Sequence, residues 1–150
     1  MARAPIPTWC FAVVVVRQGE RVLAVHEAKH GQLWYLPAGR VEPGETFAEA
    51  ACRETLEETG VPVVLEGVLR IEHAPYPDGA RMRVIFMARP ADDRAPKSTP
   101  DEESLEARWV TLDELAQLPL RGPDLLPLFK WALHAPLMPL SLFGVEGRYA

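Results

Sequence analysis

The sequence predicts an α/β fold: a mixed sheet with helices on both of its faces. Three observations lead there. Short β-branched runs alternate with a few helical segments along the chain. One of those runs, "WCFAVVVVR" (9–17), is apolar almost without interruption, as in a strand covered on both faces. A length of 150 residues with 48% hydrophobic and 25% charged residues fits one domain spanning 1–150, long enough to bury a core without staples.

The elements follow in order. "QGE" turns the first strand into "RVLAVHE" (21–27), which reads as a β-hairpin. "KHGQ" is a loop and "LWYLPAG" a short extended segment. "EPGE" (42–45) fits a type II turn with Pro43 and Gly44 at its centre. Thr46 with Glu49 three residues later forms a capping box that opens a helix, and Gly60 followed by Pro62 closes it. "PVVLEGVLRIEH" (62–73) and "ARMRVIFMARP" (80–90) read as neighbouring strands around the turn-rich "APYPDG". The polar, proline-containing stretch 91–103 is expected to be an exposed loop. "LEARWVTL" returns as a strand, and Asp113 begins a short helix. Asp124 starts the last helix, with Pro127 in a first turn where its missing N–H matters little. The tail that follows (within 124–150) is apolar but broken by prolines, and is expected to lie extended on the domain or on a second subunit.

Composition narrows the function. The net charge is −5 and no run of Lys and Arg marks a nucleic-acid footprint, so no nucleic-acid polymer is expected as partner. The longest apolar run, "CFAVVVV", is far short of a membrane span of roughly 20 residues. The start "MARAPIPTW" lacks the apolar region of a signal peptide, so a cytoplasmic protein is expected, without a membrane partner. Cys10 and Cys52 fit no metal or disulfide spacing and read as buried, reduced thiols.

The helix after Thr46 carries the chemistry. At about 100° per residue, Phe47, Ala50, Ala51 and Thr55 make an inward stripe; Glu54 and Glu58 continue it, and Glu57 lies at its edge. A solvated ladder of Glu49, Arg53 and Glu57 at i, i+4 steps accounts for Glu57 alone. Glu54 and Glu58 have no cation at helical spacing, and Glu57 and Glu58 sit in the last turn, where the helix dipole disfavours anions by about 0.3–1 kcal/mol each. Converging carboxylates of this kind suit a hard cation such as Mg²⁺ or Mn²⁺, and Ca²⁺ less well because no EF-hand loop is present. The alternative is an acidic helix face with no metal.

Residues 39–61, "GRVEPGETFAEAACRETLEETGV", resemble the Nudix hydrolase box, with its fixed residues at Gly39, Glu45, Arg53, Glu54, Glu57, Glu58 and Gly60. The one departure is Thr55, where the family places a larger aliphatic residue. "WYLPAG", "RVIFMARP", "EESLEARW" and "PLRGPDLLPLF" extend the resemblance over most of the chain. It implies a Nudix α/β/α sandwich and hydrolysis of a diphosphate bond in a small nucleotide, a nucleoside di- or triphosphate with oxidised guanine nucleotides among the options. It further implies that Glu54, Glu57 and Glu58 hold Mg²⁺, with Mn²⁺ as a substitute, joined by a backbone carbonyl at Ala38 or Gly39. Arg53 is then paired with Glu45, and Glu103 acts as base or extra ligand, with Glu102 as the alternative. Arg40, beside the box glycine, is a candidate substrate contact. Many members of the family dimerise, so the resemblance leaves a homodimer open, and the apolar tail would suit one. A non-catalytic Nudix-like module that binds a nucleotide as sensor or regulator is the alternative function. His26, His30, His73 and His134 share no ligand spacing, and Arg81 and Arg83 share a strand face that is read as solvent.

Overall fold

The computed structural model describes residues 1–149. Seven strands run β1 (Thr8–Gln18), β2 (Arg21–Glu27), β3 (Trp34–Tyr35), β4 (Ala38–Arg40), β5 (Val63–Tyr76), β6 (Gly79–Pro90) and β7 (Ser104–Val110). Three α-helices join them: α1 (Phe47–Thr59), α2 (Leu112–Ala116) and α3 (Leu125–Ala132).

β1 organises the sheet. It runs parallel to β6 from Thr8 to Val16 and antiparallel to β4 from Phe11 to Val13. The expected hairpin with β2 exists but is brief, pairing only Arg17 with Val22 and Gln18 with Arg21. β2 then diverges to pair with β7 on one side and β3 on the other, leaving a cleft into which β4 fits beside β1. β5 and β6 form a long hairpin that extends the expected strands through "APY" to a tight turn at Pro77 and Asp78. One parallel pairing among antiparallel ones makes the sheet mixed, as the sequence predicts.

The uninterrupted apolar run has a direct cause. Ala12, Val14 and Val16 face α1 together with Val84, Phe86, Ala50 and Ala51. Val13 and Val15 face the other way with Ile85 of β6, onto Leu115, Leu125 and Phe129 of the α2–α3 layer. Every residue from Ala12 to Val16 is buried, so period-two alternation has nothing polar to show.

α1 has the predicted ends: a reciprocal Thr46–Glu49 capping box and Gly60 in the left-handed conformation at φ 73°. Gly44, at φ 82°, fits the type II turn whose Glu45 N–H reaches the Glu42 carbonyl at 3.0 Å. α2 starts one residue before the expected Asp113, because Thr111 and Glu114 form a second capping box. Asp124 is the α3 cap position, although its side chain caps nothing.

Two expectations need correction. Cys10 and Cys52 are free but only half-buried, and burial raises the Cys52 thiol above its usual range. Arg83 does not face solvent: it is half-buried, with its guanidinium on Glu72 and the Tyr35 hydroxyl. The tail resolves onto its own domain. Met138 exchanges two backbone hydrogen bonds with Val68, which Gly67 permits by having no Cβ to meet the Met138 carbonyl. Phe143 then packs edge-on against Phe47 with ring centroids 4.6 Å apart.

Candidate active site

The capping box fixes where α1 begins, and that phase decides which carboxylates turn inward. Glu58 is 8% exposed and lies against the sheet, where the Ala38 N–H approaches its Oε1 at 3.4 Å. Glu54 lies near enough for its charge to raise the Glu58 carboxyl. Glu57 stands at the edge, its side chain 41% exposed and drawn to Arg53 at 3.1 Å. The inward pair and the edge residue fall as helical phase predicts.

Gly39 explains the space. A Cβ at Gly39 would sit 1.9 Å from the Glu54 carboxyl carbon, so only glycine lets that carboxylate lie across β4.

Arg53 ties the site together. It binds both oxygens of Glu45, with Nε at 2.6 Å and Nη2 at 2.9 Å, which is the bidentate geometry of strong guanidinium pairs. Nη2 also reaches the Arg40 carbonyl at 3.0 Å, and Nη1 reaches Glu54 at 2.9 Å and Glu57 at 3.1 Å. The hydrogen bond from Arg53 holds the Glu45 carboxyl below its usual range. Two sequence readings change here. Glu54 does have a cation, supplied by its chain neighbour rather than at helical spacing. The Glu49 end of the supposed surface ladder is absent, because Glu49 bonds back to Thr46.

Electrostatically the pair is asymmetric. Burial raises the Glu54 carboxyl, while Arg53 opposes the rise. Burial and the Glu54 charge push Glu58 up to about 9; the Ala38 N–H opposes the rise, and Glu27 adds a smaller push upward. No Lys or Arg lies within salt-bridge distance of Glu58 among the described residues. A buried carboxylate without a partner is costly, and a cation beside it would reverse that cost.

Sequence reasoning missed three participants. Glu27, at a bulge at the end of β2, is close enough to raise Glu58. Its Oε1 lies 3.1 Å from Arg121 Nε but off hydrogen-bonding angle, and has no hydrogen-bond partner. An apolar strand ending in a Glu was the available signal. Lys97 and Ser104 hold the C-terminus of α1: Lys97 N–H donates to the Thr59 carbonyl at 2.7 Å, Lys97 Nζ to the Glu57 carbonyl at 2.7 Å, and Ser104 Oγ to the Glu58 carbonyl at 2.6 Å. With Gly60 N–H on Leu56, all four carbonyls that a helix end leaves open are satisfied. Nothing local in 91–104 announces this.

Glu103 and Glu102 are exposed on the loop just before Ser104, and the side chain of Arg40 is exposed at the end of β4. Arg40 follows the box glycine, and Glu102 and Glu103 precede the Ser104 that reaches the Glu58 carbonyl, but among the described residues none of the three makes a side-chain hydrogen bond or ion pair with Glu54 or Glu58. Among the described residues, no three His, Cys, Asp or Glu side chains are gathered closely enough to form a ready-made metal cluster. The donor chemistry nevertheless fits a hard divalent cation: a buried, unneutralised carboxyl beside a second one, an orphaned Glu27 oxygen, and a cradle at Gly39 that a side chain would fill.

An α/β/α sandwich with inward glutamates on the helix after a glycine-opened loop defines the class, and the family model described as NUDIX domain matches residues 7–132. The chain belongs to the Nudix family. It is 40% identical over 128 residues to the human 8-oxo-dGDP phosphatase NUDT18, covering 82% of this chain and 38% of that protein. It is 31% identical over 135 residues to phosphatase NudJ of Escherichia coli, covering 89% of this chain and 88% of that protein. Among solved structures, a NUDIX hydrolase from Nitrosomonas europaea superposes with a TM-score of 0.78 at 25% identity, covering 96% of this chain and 98% of that one. The chain thus spans less than half the length of its human relative and nearly all of the bacterial one.

Proposed function

We propose that this chain hydrolyses a diphosphate bond in a nucleoside di- or triphosphate, with Mg²⁺ as cofactor and Mn²⁺ as substitute. The observation that carries the reading is the inward Glu54–Glu58 pair, with Glu54 held by Arg53 on one side and accommodated by Gly39 on the other. The printed activities of the relatives, an 8-oxo-dGDP phosphatase and a phosphatase, support it and make oxidised guanine nucleotides the first substrates to try.

In this reading Glu54, Glu57 and Glu58 hold the cation, with a carbonyl of Ala38 or Gly39. A divalent ion held there would supply positive charge against the diphosphate and would lower the pKa of a water beside phosphorus. Arg53 orients Glu54 and anchors Glu45, so that the loop 39–46 and the helix keep one geometry. Arg40, exposed beside the box glycine, is the residue that contacts substrate phosphate in this reading. Glu103, or Glu102 in its stead, takes the proton of the attacking water, from a loop tied to the Glu58 carbonyl through Ser104. The substrate in this reading is a small molecule. Among the described residues no helix is long and apolar enough to cross a membrane.

The test is a panel: 8-oxo-dGDP, unmodified nucleoside di- and triphosphates, nucleotide sugars, dinucleoside polyphosphates and thiamin diphosphate precursors, each with Mg²⁺ and with chelator. Mg²⁺-dependent release of phosphate or nucleoside monophosphate is expected from at least one. Tight binding without turnover of any would sink the hydrolase reading in favour of a nucleotide sensor.

A further inference from the structure

A cavity of about 600 Å³ lies between the β5–β6 hairpin and the start of α3. Four guanidiniums line it, Arg70, Arg81, Arg83 and Arg121, against two carboxylates, Glu72 and Asp124. That is an excess of positive charge in a chain of net charge −5.

The arginines are not equivalent. Glu72 is shared by Arg70 at 3.1 Å and Arg83 at 2.8 Å, so one carboxylate serves two cations. Arg83 is further fixed by donating to the Tyr35 hydroxyl at 3.0 Å. Arg81, two residues earlier on the same face of β6, has no carboxylate within salt-bridge distance among the described residues, and its guanidinium lies 6.0 Å from the centre of the Phe11 ring. Arg121 spreads over the Tyr35 ring at 4.0 Å. That face of the aromatic ring is therefore covered and offers no platform for a nucleobase.

A cavity with one oriented arginine, one without a counter-charge, and an occupied aromatic face is built for an anion. We infer that it takes a phosphate monoester carried by the substrate outside the diphosphate that is cleaved. The inference rests on the reading of the α1 carboxylates as the hydrolytic centre. Arg121 connects the two regions, since it lines the cavity and also faces Glu27, which in turn neighbours Glu58. The substrate class narrows accordingly, to a nucleoside diphosphate with a further phosphate on its sugar.

The experiment compares a nucleoside 5′-diphosphate with its 3′-phosphorylated counterpart on the same base, in wild type and Arg81→Gln. The 3′-phosphate is expected to lower KM about tenfold in wild type, the scale of one or two charge-assisted hydrogen bonds, and Arg81→Gln is expected to erase the difference. Binding of the nucleoside 3′-monophosphate and of inorganic phosphate is followed by NMR on the same two proteins. Equal KM for both diphosphates, or a preference that survives Arg81→Gln, overturns the inference while leaving the hydrolase reading intact. Inorganic phosphate binding as tightly as the nucleoside 3′-monophosphate overturns it too, because the site would then read a free anion. If neither diphosphate is hydrolysed but the nucleoside 3′-monophosphate binds in an Arg81-dependent way, the cavity assignment stands and the hydrolytic reading fails.

Discussion

Burial and the Glu54 charge push the Glu58 carboxyl from an ordinary 4.5 up to about 9. Between those values the folded chain keeps a proton that the unfolded chain has released. The stabilising contribution is therefore complete below about pH 4.5 and is lost as pH rises through about 9. With chelator present, the Tm of wild type is expected to fall more steeply from pH 6 to pH 9 than that of Glu58→Gln, which keeps the neutral form at every pH. At pH 8 Glu58→Gln should melt a few degrees higher, roughly the effect of 1 kcal/mol, while its turnover with Mg²⁺ drops by about 100-fold or more. A variant of full activity would remove Glu58 from the site. Gly39→Ala tests the same space from the opposite strand. Its Cβ displaces the Glu54 carboxylate, so Mn²⁺ affinity and turnover are expected to fall together, and an active Gly39→Ala enzyme would show that Glu54 need not lie across β4.

At the scale of elements, α1 is a helix with its acidic residues at the wrong end for its dipole, and the loop 91–103 compensates. The Lys97 ammonium lies on the Glu57 carbonyl, and Asp101 keeps it there at 2.7 Å. Lys97 and Ser104 are positioning residues, acting on Glu57 and Glu58 through the backbone. Lys97→Ala and Ser104→Ala are each expected to destabilise by about 1–2 kcal/mol and to loosen amide protection in the last turn of α1 before the rest of the molecule. Uniform loss of protection would mean that the loop supports the whole domain instead. This element also shows where reading a sequence stops. The Thr46–Glu49 box, Gly60 and the inward phase of Glu54 and Glu58 were legible because each depends on residues a few positions apart. The clamp on the helix end was not, since Lys97 and Ser104 meet Glu57 and Glu58 across about 40 residues of chain.

Across the whole molecule the same division holds. The unbroken Val13–Val16 run correctly implied a strand covered on both faces, and the α/β/α sandwich follows from it. The parallel pairing of β1 with β6, the splaying of β2 away from β1, and the arrival of Glu27 beside Glu58 depend on long-range topology, which no local pattern encodes. Arg83 shows the difference in one residue: strand alternation placed it correctly with Arg81 on one face, and only the packing of α3 and Tyr35 turned that face into a cavity wall. The tail settled on its own domain because Gly67 admits Met138 and Phe47 receives Phe143. Phe143→Ala should therefore destabilise the isolated chain by about 1–3 kcal/mol in thermal melts at any protein concentration. A destabilisation that appeared only at high concentration would assign Phe143 to contact between two copies.

The proposed hydrolytic centre requires Glu54 and Glu58 to form one cation site. Titration of Mn²⁺ followed by electron paramagnetic resonance, on wild type and Glu58→Gln at the same pH, measures that directly. Wild type is expected to bind Mn²⁺ with an affinity that Glu58→Gln lowers about tenfold or more, the loss of one charged ligand. Equal binding by the two proteins would contradict the account.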